Sequence, residues 1–322
     1  MQTSKRNWKL TIINIVAMAA VFTIVQLIIS GGLITTYYQI NLFMICINII
    51  LAVSLNLING FTGQFSLGHA GFMSVGAYVS VIFTTLAGPF PFWLALLLGS
   101  LAAGFMGLLI GIPTLRLRGD YLAIATLGLG EIIKVVLNNI DYVGGAAGVS
   151  DIPPLTTWPI MFIATIATVV IIQNFINSSY GRACISVRED EVAAELMGVD
   201  ITRYKIIAFT MGAFFAGLAG GLYAHYFYVI RPDIFSFLKS FDILVIVVLG
   251  GLGSTSGAVI AAIFLTIISA ALQSFPEIRM ILYSLVLIVV MIYRPQGLMG
   301  NKELSAVMLK RKRGDDRGAA GN

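Results

Sequence analysis

Between Asn59 and Gly71 the chain reads NGFTGQFSLGHAG, and this stretch carries the side chains best suited to chemistry. Asn59, Gln64 and Ser66 offer donors and acceptors that can accompany a polar solute, and His69 carries an imidazole that titrates near neutrality. Gly60, Gly63, Gly68 and Gly71 relax the backbone between them. A second glycine-rich stretch, GGLGSTSG from Gly250 to Gly257, sets Gly251, Gly253 and Ser254 ahead of another small-residue run. It lacks the lysine of a G-x-x-x-x-G-K-[ST] loop, so it is not built to cradle a nucleotide phosphate. Glu131 and Lys134 stand i, i+3, close enough on one helix face to neutralise each other as an ion pair within the membrane. Patterns such as H-E-x-x-H, G-x-S-x-G and C-x-x-C do not occur, and Cys46 and Cys184 have no spacing that marks a disulfide or a metal site. The expectation is therefore a chain with no catalytic residue, metal or cofactor of its own, whose polar groups serve a passage.

The elements that must position these groups are apolar. Of 322 residues, 58% are hydrophobic and 11% charged, whereas a soluble domain carries about 25% charged residues. Apolar runs fall at 10–30, 40–58, 66–86, 92–112, 121–139, 158–176, 206–226, 241–251, 257–275 and 279–293. This predicts an all-α, polytopic integral membrane protein of about ten transmembrane segments, some of them short or broken. The run from Leu10 to Ser30 exceeds the roughly 7–15 residues of a secretory h-region, so it is expected to persist as a first span. With the N-terminus in the cytoplasm, only Arg231, Lys239 and Arg279 of the 20 Lys and Arg fall outside and Lys134 within a span, an asymmetry that places both termini inside. Three parts follow: a tip and first span over 1–36, a membrane domain over 37–301, and a basic, disordered cytoplasmic tail over 302–322.

Backbone groups in hydrocarbon must be satisfied, so broken helix is tolerated only against protein or a water-filled cavity. The polar wedge at Asn59 to Gly71 and its counterpart at Gly250 to Gly257 are accordingly expected to line a path, and paired interruptions of this kind point to a midplane route in transporters. The alternative, that the glycines only let helices approach closely, is compatible with it.

The longest charged loop runs from Asn177 to Lys205. In it Glu189, Asp190 and Glu191 are placed to start a helix, Val192, Leu196 and Val199 recur on one face, Ala193 and Ala194 make a small surface, and Gly198 can close the helix. So short a helix needs a partner surface. Three consecutive acids argue against anionic lipid, which leaves a cytoplasmic protein.

Four segments then carry a resemblance: SLNLINGFTGQFSLGHAGFMSVGAY, RLRGDYLAIATLGLGEIIKVVLNN, GRACISVREDEVAAELMGVDITRYKIIAFTMGAFFAGLAGGLYA and VIVVLGGLGSTSGAVIAA. In this order, from about Asn41 to Leu298, the chain resembles the permease subunits of branched-chain amino-acid ABC importers of the LivM type. The resemblance implies a multi-pass protein of the bacterial plasma (inner) membrane. Its implied partners are a homologous second permease, two cytoplasmic ATPase subunits that use the ATP, a soluble extracytoplasmic substrate-binding protein and the lipid bilayer, with no nucleic acid. It makes the helix around Glu191, Ala193, Ala194, Leu196 and Gly198 the ATPase-coupling helix, although Val192 stands where the family motif has Glu. It also makes the loops at 140–157 and 227–240 candidates for receiving the binding protein. Other readings stay open: an ion- or proton-coupled secondary transporter of small polar solutes using His69, Glu131 and Lys134, an ABC permease for urea or short amides, or a structural or channel subunit.

Overall fold

The computed structural model describes residues 20, 22–32, 35–86, 90–114, 117, 119–273 and, past these, 281, 285, 288, 289, 292, 293 and 297. Much of the expected first span, most of the run at 279–293 and the basic tail lie outside the described residues. Helix α1 (Thr36–Asn56) continues into a π turn (Leu57–Phe61), after which residues 62–68 are non-helical. Helix α2 (His69–Val81), also extended by a π turn (Ile82–Leu86), is followed by α3 (Phe92–Thr114), α4 (Asp120–Asn138) and α5 (Trp158–Asn177). Two short helices, α6 (Ser179–Glu189) and α7 (Glu191–Leu196), precede the long α8 (Ile201–Phe227), and α9 (Phe237–Gly250) and α10 (Thr255–Ala271) complete the bundle. Among the described residues the only pairing of strand type is one antiparallel bridge, Val149 with Ile230. It joins the two loops that the sequence marks as outer, through Val149 N to Ile230 O at 2.9 Å and the reciprocal bond at 3.0 Å.

The helices other than α6 and α7 lie largely on the predicted apolar runs because, in lipid, a helix satisfies every backbone group within its own segment. Four of them, Thr36–Phe61, Phe92–Thr114, Trp158–Asn177 and Ile201–Phe227, are long and apolar enough to cross a membrane. Helix α8 is the hub and packs on α1, α2 and α3. Where it crosses α2 the backbones touch: a Cβ on Gly76 would lie 2.2 Å from the carbonyl oxygen of Gly217. Between apolar helices in lipid such close approach replaces the hydrophobic drive as the source of association. The second half of α1, from Ile47 to Asn56, is buried throughout, enclosed by α5, α8, α9 and α10. Phe43 ties this helix to its neighbours, stacking on Tyr226 with centroids 4.0 Å apart and meeting Trp158 edge-on at 5.9 Å.

The charged segment 177–205 differs from the expected loop with one helix. Ser178 caps α6, the extended Asp190 interrupts the chain, and α7 begins anew. Glu189 therefore ends α6 and does not open the second helix. The side chain of Asp190 instead accepts from Val192 N at 2.9 Å and Ala193 N at 3.1 Å, using two donors that a helix start leaves unpaired. Gly198 adopts φ +81°, a conformation that favours glycine, and turns the chain into α8.

Candidate functional site

The two glycine-rich stretches follow α1 and α9, and the fold brings them together at the ends of those helices. Asn56, the last residue of α1, donates from Nδ2 to Ser254 O at 2.9 Å and accepts Gly253 N–H on Oδ1 at 2.9 Å. Gly60 then lies on Gly253 so closely that a Cβ on Gly60 would stand 2.3 Å from Gly253 N. From α6, Arg188 reaches into this junction and donates from Nη1 to Gly60 O at 2.9 Å, while pairing with Glu189. Gly63, at φ +70°, passes under the same side chain: a Cβ there would meet Arg188 Cγ at 3.0 Å. Asn59, Gly60, Gly63, Arg188 and Leu252 line a cavity of about 460 Å³ at this end.

The remaining wedge residues are spent on the bundle. Asn59 and Ser66 clamp the turn, with Asn59 Nδ2 donating to Ser66 O at 3.3 Å and Ser66 N donating to Asn59 Oδ1 at 3.2 Å. Gln64 Nε2 donates to Lys205 O at 3.1 Å. His69, fully buried, places Nε2 2.8 Å from the Ser54 hydroxyl on α1. Gly68 and Gly71 let α2 close on α4, since Cβ atoms there would lie 2.3 Å from Thr126 O and 2.9 Å from Gly130 Cα. Gly251, at φ +109°, ends α9, and Ser254 Oγ caps α10 by accepting Gly257 N–H at 3.1 Å. The predicted cluster thus divides: Asn59, Gly60, Gly63 and Gly253 gather around Arg188, whereas Gly68, His69 and Gly71 serve helix packing. Gln64 Oε1, Ser66 Oγ and His69 Nδ1 are buried without a hydrogen-bond partner among the described residues.

The charged segment is tied to the same place. Glu191, in the first turn of α7, pairs with Lys205 Nζ on α8, and Lys205 supplies the carbonyl that receives Gln64. Ala194 is buried beneath α7 and Ala193 is exposed. Val192, Leu196 and Met197 are 63%, 83% and 84% exposed, so the apolar side of the helix faces outward. The Glu131–Lys134 pair forms at 2.8 Å on α4, and Glu131 Oε1 also accepts Phe237 N–H at 2.9 Å, capping α9 from a distance. Burial pushes the Cys184 thiol of α6 up to about 11. Sequence reasoning missed Asn56 and the reach of Arg188. An asparagine inside the run at 40–58 was the available signal for the first; the second is set by how α6 folds back.

Apolar helices of membrane length, glycine-rich breaks gathered at one end and a short helix with exposed apolar residues beside them define a helical integral membrane protein. The chain belongs to the family described as the branched-chain amino acid transport system permease component, whose model matches residues 37–291. It is 35% identical to the high-affinity branched-chain amino acid transport system permease protein LivM of Salmonella typhimurium, over 85% of this chain and 72% of the relative. The permease protein LivH of the same organism is 26% identical over 80% of this chain and 92% of its own length. A probable branched-chain amino acid transport permease protein LivM from Methanocaldococcus jannaschii is 24% identical over 68% of this chain and 71% of the relative. No solved structure matches the chain.

Proposed function

We propose that this chain is one membrane subunit of an ATP-driven importer of branched-chain amino acids in the bacterial plasma membrane. In this reading residues 37–301 form the permease domain, about ten segments cross the bilayer and both termini are cytoplasmic. A homologous permease completes the path, two cytoplasmic ATPases drive it, and a binding protein delivers the amino acid to the bridged loops at 140–157 and 227–240. The names of the LivM and LivH relatives support the substrate class.

One observation carries the mechanism: α7 turns its apolar residues outward yet is anchored inward through Glu191 to Lys205, the residue that also holds Gln64. Movement imposed on α7 by an ATPase would pass through Lys205 to the wedge, and through neighbouring α6 and Arg188 to Gly60 and Gly253. The three unpartnered polar atoms of Gln64, Ser66 and His69 suit an element with a second arrangement in which they find partners. A proton-coupled carrier would need His69, Glu131 or Lys134 available, and these are engaged with Ser54, with each other and with the start of α9.

Co-purification tests the docking role. Leu196→Asp in the assembled complex is expected to lose the ATPase subunits while the chain still inserts and pairs with its fellow permease. Retention of the ATPases at wild-type stoichiometry would remove α7 as the coupling element.

A further inference from the structure

A cavity of about 490 Å³ opens between α1, α5 and α10, with Val25 of the segment before α1 also in its lining. Its volume falls within the roughly 300–1,000 Å³ of ligand sites. The lining is apolar almost throughout, with Ile45 and Ile49 from α1, Phe162 and Val169 from α5, and Val259 and Ile263 from α10. Of the few lining residues with polar atoms, Thr165 donates its hydroxyl to Met161 O at 2.8 Å. Trp158 makes no such bond: it is 6% exposed, and its indole Nε1–H is buried without a hydrogen-bond partner among the described residues. A buried indole N–H ordinarily finds an acceptor, because leaving it without one costs the desolvation of a polar group. Along α5 the lining runs from Trp158 to Val170, about 18 Å of helix axis. One leaflet of the bilayer's hydrocarbon core is about 15 Å deep. Trp158 is the first residue of α5, a helix of membrane length, and so stands at the depth where hydrocarbon gives way to headgroups and Trp is favoured. Val170 and Ile263 of the lining are 45% and 37% exposed, which opens the cavity to the outer surface of the bundle.

We propose that this cavity seats one acyl chain of a bilayer glycerolipid, with the ester carbonyl of that chain accepting the Trp158 N–H. An apolar cavity about one leaflet deep, with a buried donor lacking a partner at its interfacial end, fits one kind of molecule. That molecule is hydrocarbon along its length and carries an acceptor where the hydrocarbon stops. A helix packed over the cavity, from whichever chain, would bring apolar side chains but no acceptor, because a helix in lipid uses its carbonyls within its own segment. A free amino acid is excluded as well, since the lining offers no charged side chain to its ammonium or its carboxylate. The seat requires only that the chain lie in a bilayer, so it stands apart from the import reaction and from the glycine junction.

Photocrosslinking tests the seat in the assembled complex, held in vesicles of phosphatidylethanolamine and phosphatidylglycerol. A small fraction of the phosphatidylethanolamine carries a diazirine halfway along one acyl chain, and peptide mass spectrometry reads the adducts residue by residue. Adducts on Cys46, Ile49, Phe162 and Ile166 are expected about tenfold above those on Leu97, Leu101 and Phe105, which α3 exposes. Trp158→Phe keeps a ring against Phe43 and Phe162 but has no N–H, and it lowers the cavity adducts about fivefold, the effect of one hydrogen bond. The same probe with ether links in place of its esters shows that drop on the native chain and no further drop on Trp158→Phe. Val169→Trp fills the cavity and abolishes the adducts there, while adducts on α3 persist and show that the chain has inserted. Cavity adducts no denser than those on α3 would make the lipid there ordinary solvent, and cavity residues free of adducts would mean that protein covers them; either result overturns the seat. Ester and ether probes that label alike, with Trp158→Phe unchanged, overturn the bond from Trp158.

Discussion

Asn56 and Arg188 hold the junction by charge and hydrogen bonding, and their removal has consequences of predictable sign. Asn56→Ala leaves Gly253 N–H without its partner and removes one of two donors from Ser254 O, which keeps the Ala258 N–H. An orphaned backbone donor costs about 1–3 kcal/mol, so the variant is expected to unfold at lower temperature in detergent; an unchanged midpoint would mean that the contact contributes nothing. Arg188→Ala removes a bond from a charged donor to Gly60 O, a contribution of roughly 1.5–3 kcal/mol. If Arg188 carries motion to the glycine junction, ATPase activity continues in this variant while leucine uptake falls; equal loss of both would make it a structural prop. Cys184 gives a pH test in the segment proposed to be cytoplasmic. With its thiol raised to about 11, roughly one thiol in a thousand is ionised at pH 8. Maleimide should leave it unmodified in the folded complex up to about pH 9 and label it readily once the chain is denatured. Rapid labelling at pH 8 in the folded state would contradict the burial of Cys184 on α6.

At the scale of elements, α7 is six residues long and cannot persist alone; it depends on the Asp190 cap, the Glu191–Lys205 pair and the left-handed exit at Gly198. No atom outside the local chain lies within 4 Å of a Cβ built on Gly198, so Gly198→Ala isolates the backbone term. The left-handed conformation costs a non-glycine residue about 1–2 kcal/mol, enough to weaken ATPase docking without touching the apolar surface. Docking measured by co-purification should fall less than with Leu196→Asp; equal falls would assign the loss to misfolding. The helix was legible in the sequence because acids gather at its start and Gly198 follows it, whereas Asp190 as its cap was not singled out from Glu189 and Glu191. The separate helix before it was not, because α6 carries few of the periodic apolar residues that mark a buried face. The helix-long apolar runs were legible for the same reason that they insert: backbone satisfaction in lipid leaves few alternatives. The meeting of Gly60 with Gly253 was not, since two glycines far apart in sequence carry no signal of mutual contact. The cavity lined by Lys239 and Asp242 of α9 was not legible, because its other walls come from α1, α8 and α10.

For the whole molecule, a cavity lies between α1, α8, α9 and α10 at one end of these helices, and the glycine junction, tied to α6 and α7, lies at the other. In the proposed function, work done on the segment 177–205 reaches the path through those shared helices. A proton-coupled carrier built from His69, Glu131 and Lys134 makes the opposite demand, that a proton gradient alone suffice. The most direct measurement is uptake of labelled L-leucine into vesicles holding the assembled complex with its binding protein, ATP supplied to the ATPase side and a protonophore present. Uptake that persists with protonophore, requires ATP and is lost in Leu196→Asp is the predicted result. Uptake that collapses when the proton gradient is dissipated at constant ATP, or that continues without the ATPase subunits, would contradict it.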